Sequence, residues 1–114
     1  MTHARRALGV SGEDAAAAWY EANGYQVVAR NWRCRDGELD LVVRRGRTVV
    51  FCEVKTRSST AFGAPVEAVT RPKQVRLRRL AARWLAESPL ATAEIRFDVA
   101  SVLAGRLEVF EGAF

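Results

Sequence analysis

The chain has 114 residues, 49% of them apolar and 27% charged. That composition excludes collagen-like, low-complexity and disordered classes, and a single domain of this size buries roughly two thirds of the surface its unfolded chain would expose. Eighteen Lys+Arg against thirteen Asp+Glu leave a formal charge of +5. The excess, largely arginine, points to a polyanionic partner, nucleic acid before membrane, with a codon-driven taste for arginine as the plain alternative.

No run reaches the length of a membrane span, and the arginines near the start have no apolar stretch behind them, so no signal peptide is read. Cys34 and Cys52 form no CxxC pair, and His3 stands alone, which argues against zinc held by Cys and His. A reduced, cytoplasmic protein is the expectation, with one disulfide left open.

In chain order, residues 1–8 read as a flexible tail and 9–114 as one domain. Ser11 and Asp14 resemble a capping box, "AAAAWYEA" is strongly helix-forming and Gly24 is a stop, which predicts a helix over 11–23. "YQVVARNWR", residues 25–33, is the first strand, and "CRDG" a turn. "ELDLVV" and "TVVFCEV" are the second and third strands around a tight turn at Arg45-Gly46. Residues 56–69 read as a loop, with room for a helical turn after Pro65. Thr70 caps a second helix with Pro72 in its first turn, and Leu77, Leu80, Ala81 and Trp84 share one face. "EIRFDVASVL", residues 94–103, and "RLEVFE" after Gly105 complete an α/β order of αβββαββ.

Charge interrupts the hairpin. Side chains alternate across a strand, so Glu38, Asp40 and Val42 share a face, as do Val49, Phe51, Glu53 and Lys55. With Arg45 and Gly46 central in the turn, Arg44 pairs with Arg47, Asp40 faces Phe51 and Glu38 faces Glu53. Asp40 and Glu53 are then diagonal neighbours, roughly 7–8 Å apart, with Lys55 on the same side. A slip of one residue would send Asp40 to the other face. Converging carboxylates repel unless one keeps a proton or a divalent cation sits between them. Magnesium takes oxygen ligands and leaves positions for water and phosphate, and a lysine beside it can activate water or stabilise phosphate charge. The plain alternative is a solvated charge ladder with Lys55 bridging Glu53 or Asp40.

The second helix is basic. Arg71, Lys73, Arg76, Arg78, Arg79 and Arg83 fall between Thr70 and Ala86 with no acid. Arg76, Arg79 and Arg83 line an outer face, and Arg71 and Lys73 lie near the hairpin. If roughly four of these cations displace counterions on duplex DNA, log affinity falls against log salt with a slope near −3.6. Solvated arginines covering apolar surface are the alternative. Asp98 reads as an ion-pair partner for Arg96 or another arginine, and Trp19, Trp32 and Trp84 as core anchors.

"GELDLVV…VVFCEVKTR", with "GEDAAAAWYEANGYQVVARNWR", "FGAPVEAVTRPKQVRLRRLAARWL" and "IRFDVASV", resembles the YraN-like family from Gly12 to Val102. That family looks like Holliday-junction resolvases. The resemblance implies a restriction-endonuclease-like fold, a central mixed sheet flanked by helices. It also implies a PD-(D/E)xK-type motif at Asp40, Glu53 and Lys55. Leu39 stands where the classical motif has proline, and Cys52 where the family more often has valine. The expectation is a Mg²⁺- or Mn²⁺-dependent endonuclease acting on DNA before RNA, on structured or branched substrates. Asp40, Glu53 and the Val54 carbonyl would hold the metal, and Lys55 would assist water attack. Glu13 would complete the metal site, or is simply an acid at a helix start. Glu38 is a ligand or flanks the turn. Arg57, Arg71, Lys73, Gln74, Arg76, Arg79 and Arg83 would meet nucleic acid, with Gln74 also supporting the site. A homodimer stays open, as do a non-catalytic nucleic-acid-binding module and an interaction adaptor on the same fold.

Overall fold

A computed structural model of the chain describes residues 2–57 and 69–114, residues 2–11 as backbone only. Its elements are α1 (Thr2–Ala22), β1 (Gln26–Cys34), β2 (Gly37–Arg45), β3 (Thr48–Arg57), α2 (Arg71–Glu87), β4 (Glu94–Leu103) and β5 (Arg106–Phe110). The order matches the αβββαββ reading. The five strands form one sheet in sequence order. Neighbours run antiparallel except β3 and β4, which are parallel. The exception follows from connectivity, since a strand can be followed by a parallel neighbour only through a crossover, and α2 lies between β3 and β4.

Three local expectations change. α1 begins at Thr2, so Ser11 and Asp14 lie within it and form no capping box. Alanine, leucine and arginine upstream are good helix formers, and the backbone of residues 2–8, read from sequence as a tail, continues the helix. Thr70 occupies the N-cap of α2 with extended dihedrals, yet its side chain makes no capping bond. β3 continues to Arg57 where a loop was expected from residue 56, and the helical turn expected after Pro65 lies outside the described residues.

Both sheet faces are covered. On one, Leu77, Leu80, Ala81 and Trp84 of α2 pack on Leu39, Val42, Val49, Phe51, Phe97 and Val99. On the other, Ala16, Ala17 and Tyr20 of α1 pack on Leu41, Val43, Val50, Cys52 and Ala100. This is why Leu41–Val43 and Val49–Cys52 read as unbroken apolar runs: strands buried on both sides need no polar alternation. Trp84 is buried, and Trp32 and Trp19 are half-buried against the two cores, in keeping with their reading as anchors. Both cysteines are free, Cys52 buried. Gly12 lets α1 approach the far end of β3, because a Cβ there would collide with Thr56 Oγ1.

Among the described residues, one charged side chain sits wholly inside. Asp98 is 0% exposed. Its Oδ2 accepts from Tyr20 Oη at 2.5 Å and Arg96 Nη2 at 2.9 Å, its Oδ1 from Arg96 Nε at 2.8 Å and the Gly112 amide at 3.0 Å. Four donors compensate the desolvation and tie α1, β4 and the chain end together. The expected pairing with Arg96 is met. Removing one partner of such a set strands the others. Asp98→Ala is expected to lose about 3–5 kcal/mol and Tyr20→Phe about 1.5–3 kcal/mol in urea unfolding. Losses below about 1 kcal/mol would show that solvent replaces these bonds.

Candidate functional site

The site starts at the hairpin turn. The β2–β3 ladder closes at Arg45↔Thr48 and runs to Leu41↔Cys52. The central turn residues are therefore Gly46 and Arg47, not Arg45 and Gly46. Gly46 has φ 62°, and a two-residue hairpin with one left-handed residue puts glycine first. The correction moves each strand by one residue, so the shared face survives. Continued by one step, the ladder sets Asp40 directly across from Glu53, closer than the diagonal expected.

The ladder stops there instead. Leu41 and Val43 belong to the α1 side of the sheet, but Leu39 belongs to the α2 side. Alternation is broken at Asp40. The same happens in β1, where the pairs Arg30↔Leu41 and Trp32↔Leu39 flank Asn31. Arg30 bonds Asp14 of α1 at 2.6 Å, whereas Trp32 joins the α2 core. Asn31 itself has φ 51°, a region that asparagine tolerates better than most residues. β2 turns away from β3 at this point. The Asp40 side chain enters the gap, and its Oδ2 accepts the Val54 N–H at 2.9 Å in place of strand pairing. The Val54 carbonyl leaves its strand along the same edge as that N–H.

Three elements bring acids to the gap. Carboxylate oxygens of Glu13 on α1 and of Glu38 and Asp40 on β2 lie within 4.8 Å of one another. Glu13 Oε2 also accepts from Asn31 Nδ2 at 2.9 Å, and Glu38 Oε2 from Arg33 Nε at 2.7 Å. Glu53 Oε1 stands 4.0 Å from Lys55 Nζ. Glu38, Asp40 and Glu53 line a cleft of about 210 Å³ with Gly37 and, from α2, Lys73, Arg76, Leu77 and Leu80. One wall is acidic, the other cationic, and leucines close the floor.

The charges perturb one another. Burial, then the hydrogen bond to Glu53 and its negative charge, push the Asp40 carboxyl up to about 7, against the pull of the Val54 amide and Lys55. Glu13 is raised by burial, partly offset by Asn31. Lys73 is lowered, first by its contact with the Lys55 amine and then by burial. Burial is the first cause of both acid shifts, and like charge adds to it at Asp40 and Lys73.

The structure thus gathers Asp40, Glu53, Lys55, Val54, Glu13 and Glu38. Lys73 and Arg76 join them. Gln74 does not line this cleft: its Nε2 donates to the Val69 carbonyl at 3.1 Å, and it shares a separate groove with Arg71. Arg79 is exposed along α2 and Arg57 half-exposed at the end of β3. Arg83 is not an unbalanced cation, because Glu87 lies at 3.2 Å and Asp36 at 3.5 Å. Glu87 lies just past the helical window that reads as free of acid, and Asp36 comes from the turn between β1 and β2. Asn31 carried no signal beyond being an asparagine in a β-branched stretch.

The raised Asp40 carboxyl makes stability depend on pH. The native chain keeps a proton that the unfolded chain, at an ordinary 3.8, gives up. That contribution is complete below about pH 4 and fades as pH rises through about 7. Asp40→Asn, whose amide can still accept from Val54 and donate to Glu53, is expected to remove this slope. It should exceed the wild type by about 1 kcal/mol or more above pH 7 in urea unfolding. Parallel pH profiles for the two proteins would contradict the crowding.

Comparison with known proteins places these residues in a family. The model for "Uncharacterised protein family UPF0102" matches residues 12–102. A UPF0102 protein of Beutenbergia cavernae is 63% identical over 103 residues, covering 90% of this chain and 87% of its own. One from Frankia casuarinae is 54% identical over 116 residues, 97% of this chain and 98% of its own. One from Moorella thermoacetica is 48% identical over 120 residues and covers both chains fully. Matched almost end to end, with every acid of the cleft inside the matched span, the chain belongs to the UPF0102 family, the YraN-like proteins that its sequence resembles.

Proposed function

We propose that this protein is a divalent-metal-dependent endonuclease that hydrolyses phosphodiester bonds in DNA. The observation that carries the reading is the cleft where Asp40 and Glu53 meet between Glu13 and Glu38 on one side and Lys55, Lys73 and Arg76 on the other. The cleft's acid donors are carboxylate oxygens, without histidine or thiolate among them, which suits Mg²⁺ or Mn²⁺ rather than zinc. The proton that Asp40 retains to about pH 7, through burial first and Glu53 second, marks a position where a cation would stabilise the ionised carboxylate instead. Asp40, Glu53 and the Val54 carbonyl would hold it, with Glu13 and Glu38 beside them. Bound there, it would supply Lewis acidity toward a phosphoryl oxygen.

The remaining work falls to the chain's own side chains. The Val54 amide fixes Asp40 in the gap. Lys55, positioned by Glu53, orients the attacking water and offsets charge that builds on the phosphate. Lys73 and Arg76 on the facing wall neutralise the non-bridging oxygens. The preference for DNA, and for branched or structured DNA, rests on the likeness to Holliday-junction resolvases and on the basic surface of α2. A homodimer would suit a two-fold junction.

The test is cleavage of duplex, flapped and four-way-junction DNA with Mg²⁺ or Mn²⁺. Lys55→Ala is expected to lose roughly 10²-fold or more in turnover. Equal rates for variant and wild type would defeat the reading. Salt-dependent binding with no turnover in either metal would favour the non-catalytic module. Calorimetric titration of Mn²⁺ is expected to give binding to the wild type and none to Asp40→Asn. Wild-type affinity should fall by up to about tenfold per pH unit below pH 7, as Asp40 takes up its proton. A pH-independent affinity would remove Asp40 from the ligand set.

A further inference from the structure

α2 carries a second basic concavity on the flank away from the acids. Arg71, Gln74, Val75 and Arg78 line a groove of about 430 Å³ that shares no residue with the acid cleft. At 3.6 residues per turn, Arg71, Gln74 and Arg78 fall to one side of the buried stripe Leu77, Leu80, Ala81 and Trp84, and Arg76 to the other. Arg78 is held in place, its guanidinium 4.7 Å from the Phe97 ring centre and 5.8 Å from that of Phe114. A guanidinium lying over a ring keeps its N–H donors at its edge, where an acceptor can reach them. None of the ion pairs among the described residues involves Arg71 or Arg78.

The spacing suits a chain of phosphates. Arg71 and Arg78 are two turns apart, about 10.5 Å along the axis. Val75, 47% exposed, stands between them. That separation is about three 3.4 Å rises of one duplex strand, so the two cations can meet phosphates about three nucleotides apart, with Val75 against the sugars between them. We infer that this groove binds the phosphodiester backbone of the same nucleic acid, a few nucleotides from the acid cleft, so that α2 lies beneath the strand with phosphate on both flanks. The inference rests on the nucleic-acid reading above. It adds Arg78 to the contact surface and makes the ligand a polynucleotide rather than a mononucleotide.

The experiment is fluorescence anisotropy with a labelled duplex longer than α2, in EDTA so that nothing is cut, across a KCl series. Arg71→Gln/Arg78→Gln is expected to weaken binding about tenfold or more and to flatten the log–log salt slope by about 1.8. Val75→Glu puts a negative charge at an exposed position without removing a packed group, so its melting temperature should hold while affinity falls about tenfold. Arg106→Gln, the control at the exposed start of β5, removes one positive charge away from the groove and should leave the slope unchanged. A wild type that binds with a steep slope, alongside an unaltered double variant, overturns the groove and leaves the nuclease reading standing. The same follows if the control loses as much as the double variant, or if polyglutamate competes as well as DNA. A wild type that fails to bind DNA at any salt overturns both.

Discussion

The bond from the Val54 amide to the Asp40 carboxylate decides the shape of everything around it. In a regular hairpin that amide would donate to the backbone of β2, and the two strands would stay zipped past Glu53. Here a side chain takes the place of a main-chain acceptor. β2 is free to turn aside, and a gap opens in the middle of an otherwise continuous sheet. A buried amide left without a partner would be expensive, so the opening is tolerable only because the carboxylate satisfies it. The same carboxylate is crowded by Glu53 and by its own burial, and it holds a proton well above the usual range. The group that makes the cleft possible is also the one most in need of a cation.

Asn31 is the counterpart on the other side. Its left-handed backbone lets β1 follow β2 through the change of face, and its amide side chain reaches Glu13. Gly12 does the equivalent for the helix, since its missing Cβ allows α1 to sit close enough to β3 for Glu13 to arrive. The acids therefore meet through three backbone accommodations that share no hydrophobic role: an asparagine at positive φ, a glycine at a close approach and an aspartate standing in for a strand. The two apolar cores hold the sheet rigid around them. The buried Asp98 set, with no part in the cleft, fastens α1 from the opposite end.

How much of this could be read from residues alone follows from the physics of each part. The strands and α2 are legible because apolar periodicity and turn glycines are local signals, and β4 falls on its expected residues. That Asp40 and Glu53 share a face is legible through side-chain alternation, which tolerates the misplaced turn because both strands moved together. The break at Asp40 is not legible, since a change of face depends on how Leu39 and Leu41 pack against different helices. Glu38 stayed ambiguous for the same reason. The balance on Arg83 was hidden because Asp36 is remote in sequence and Glu87 lies just past the basic run. The start of α1 was masked by a plausible cap at Ser11 within a sequence that forms helix on both sides of it.

The parallel pairing of β3 with β4 also divides the chain by range. All four acids of the cleft come from residues 13–53, joined by antiparallel neighbours and short turns. The facing cations Lys73 and Arg76 arrive only with the crossover. Loop closure is entropically cheap for the first set and dearer for the second. During folding the negative wall can therefore assemble before the positive one exists. For that interval its mutual repulsion is unopposed by α2, and Arg30 and Arg33 of the same segment and Lys55 just past it, with protons or ions from solvent, supply the compensation that Lys73 and Arg76 later share.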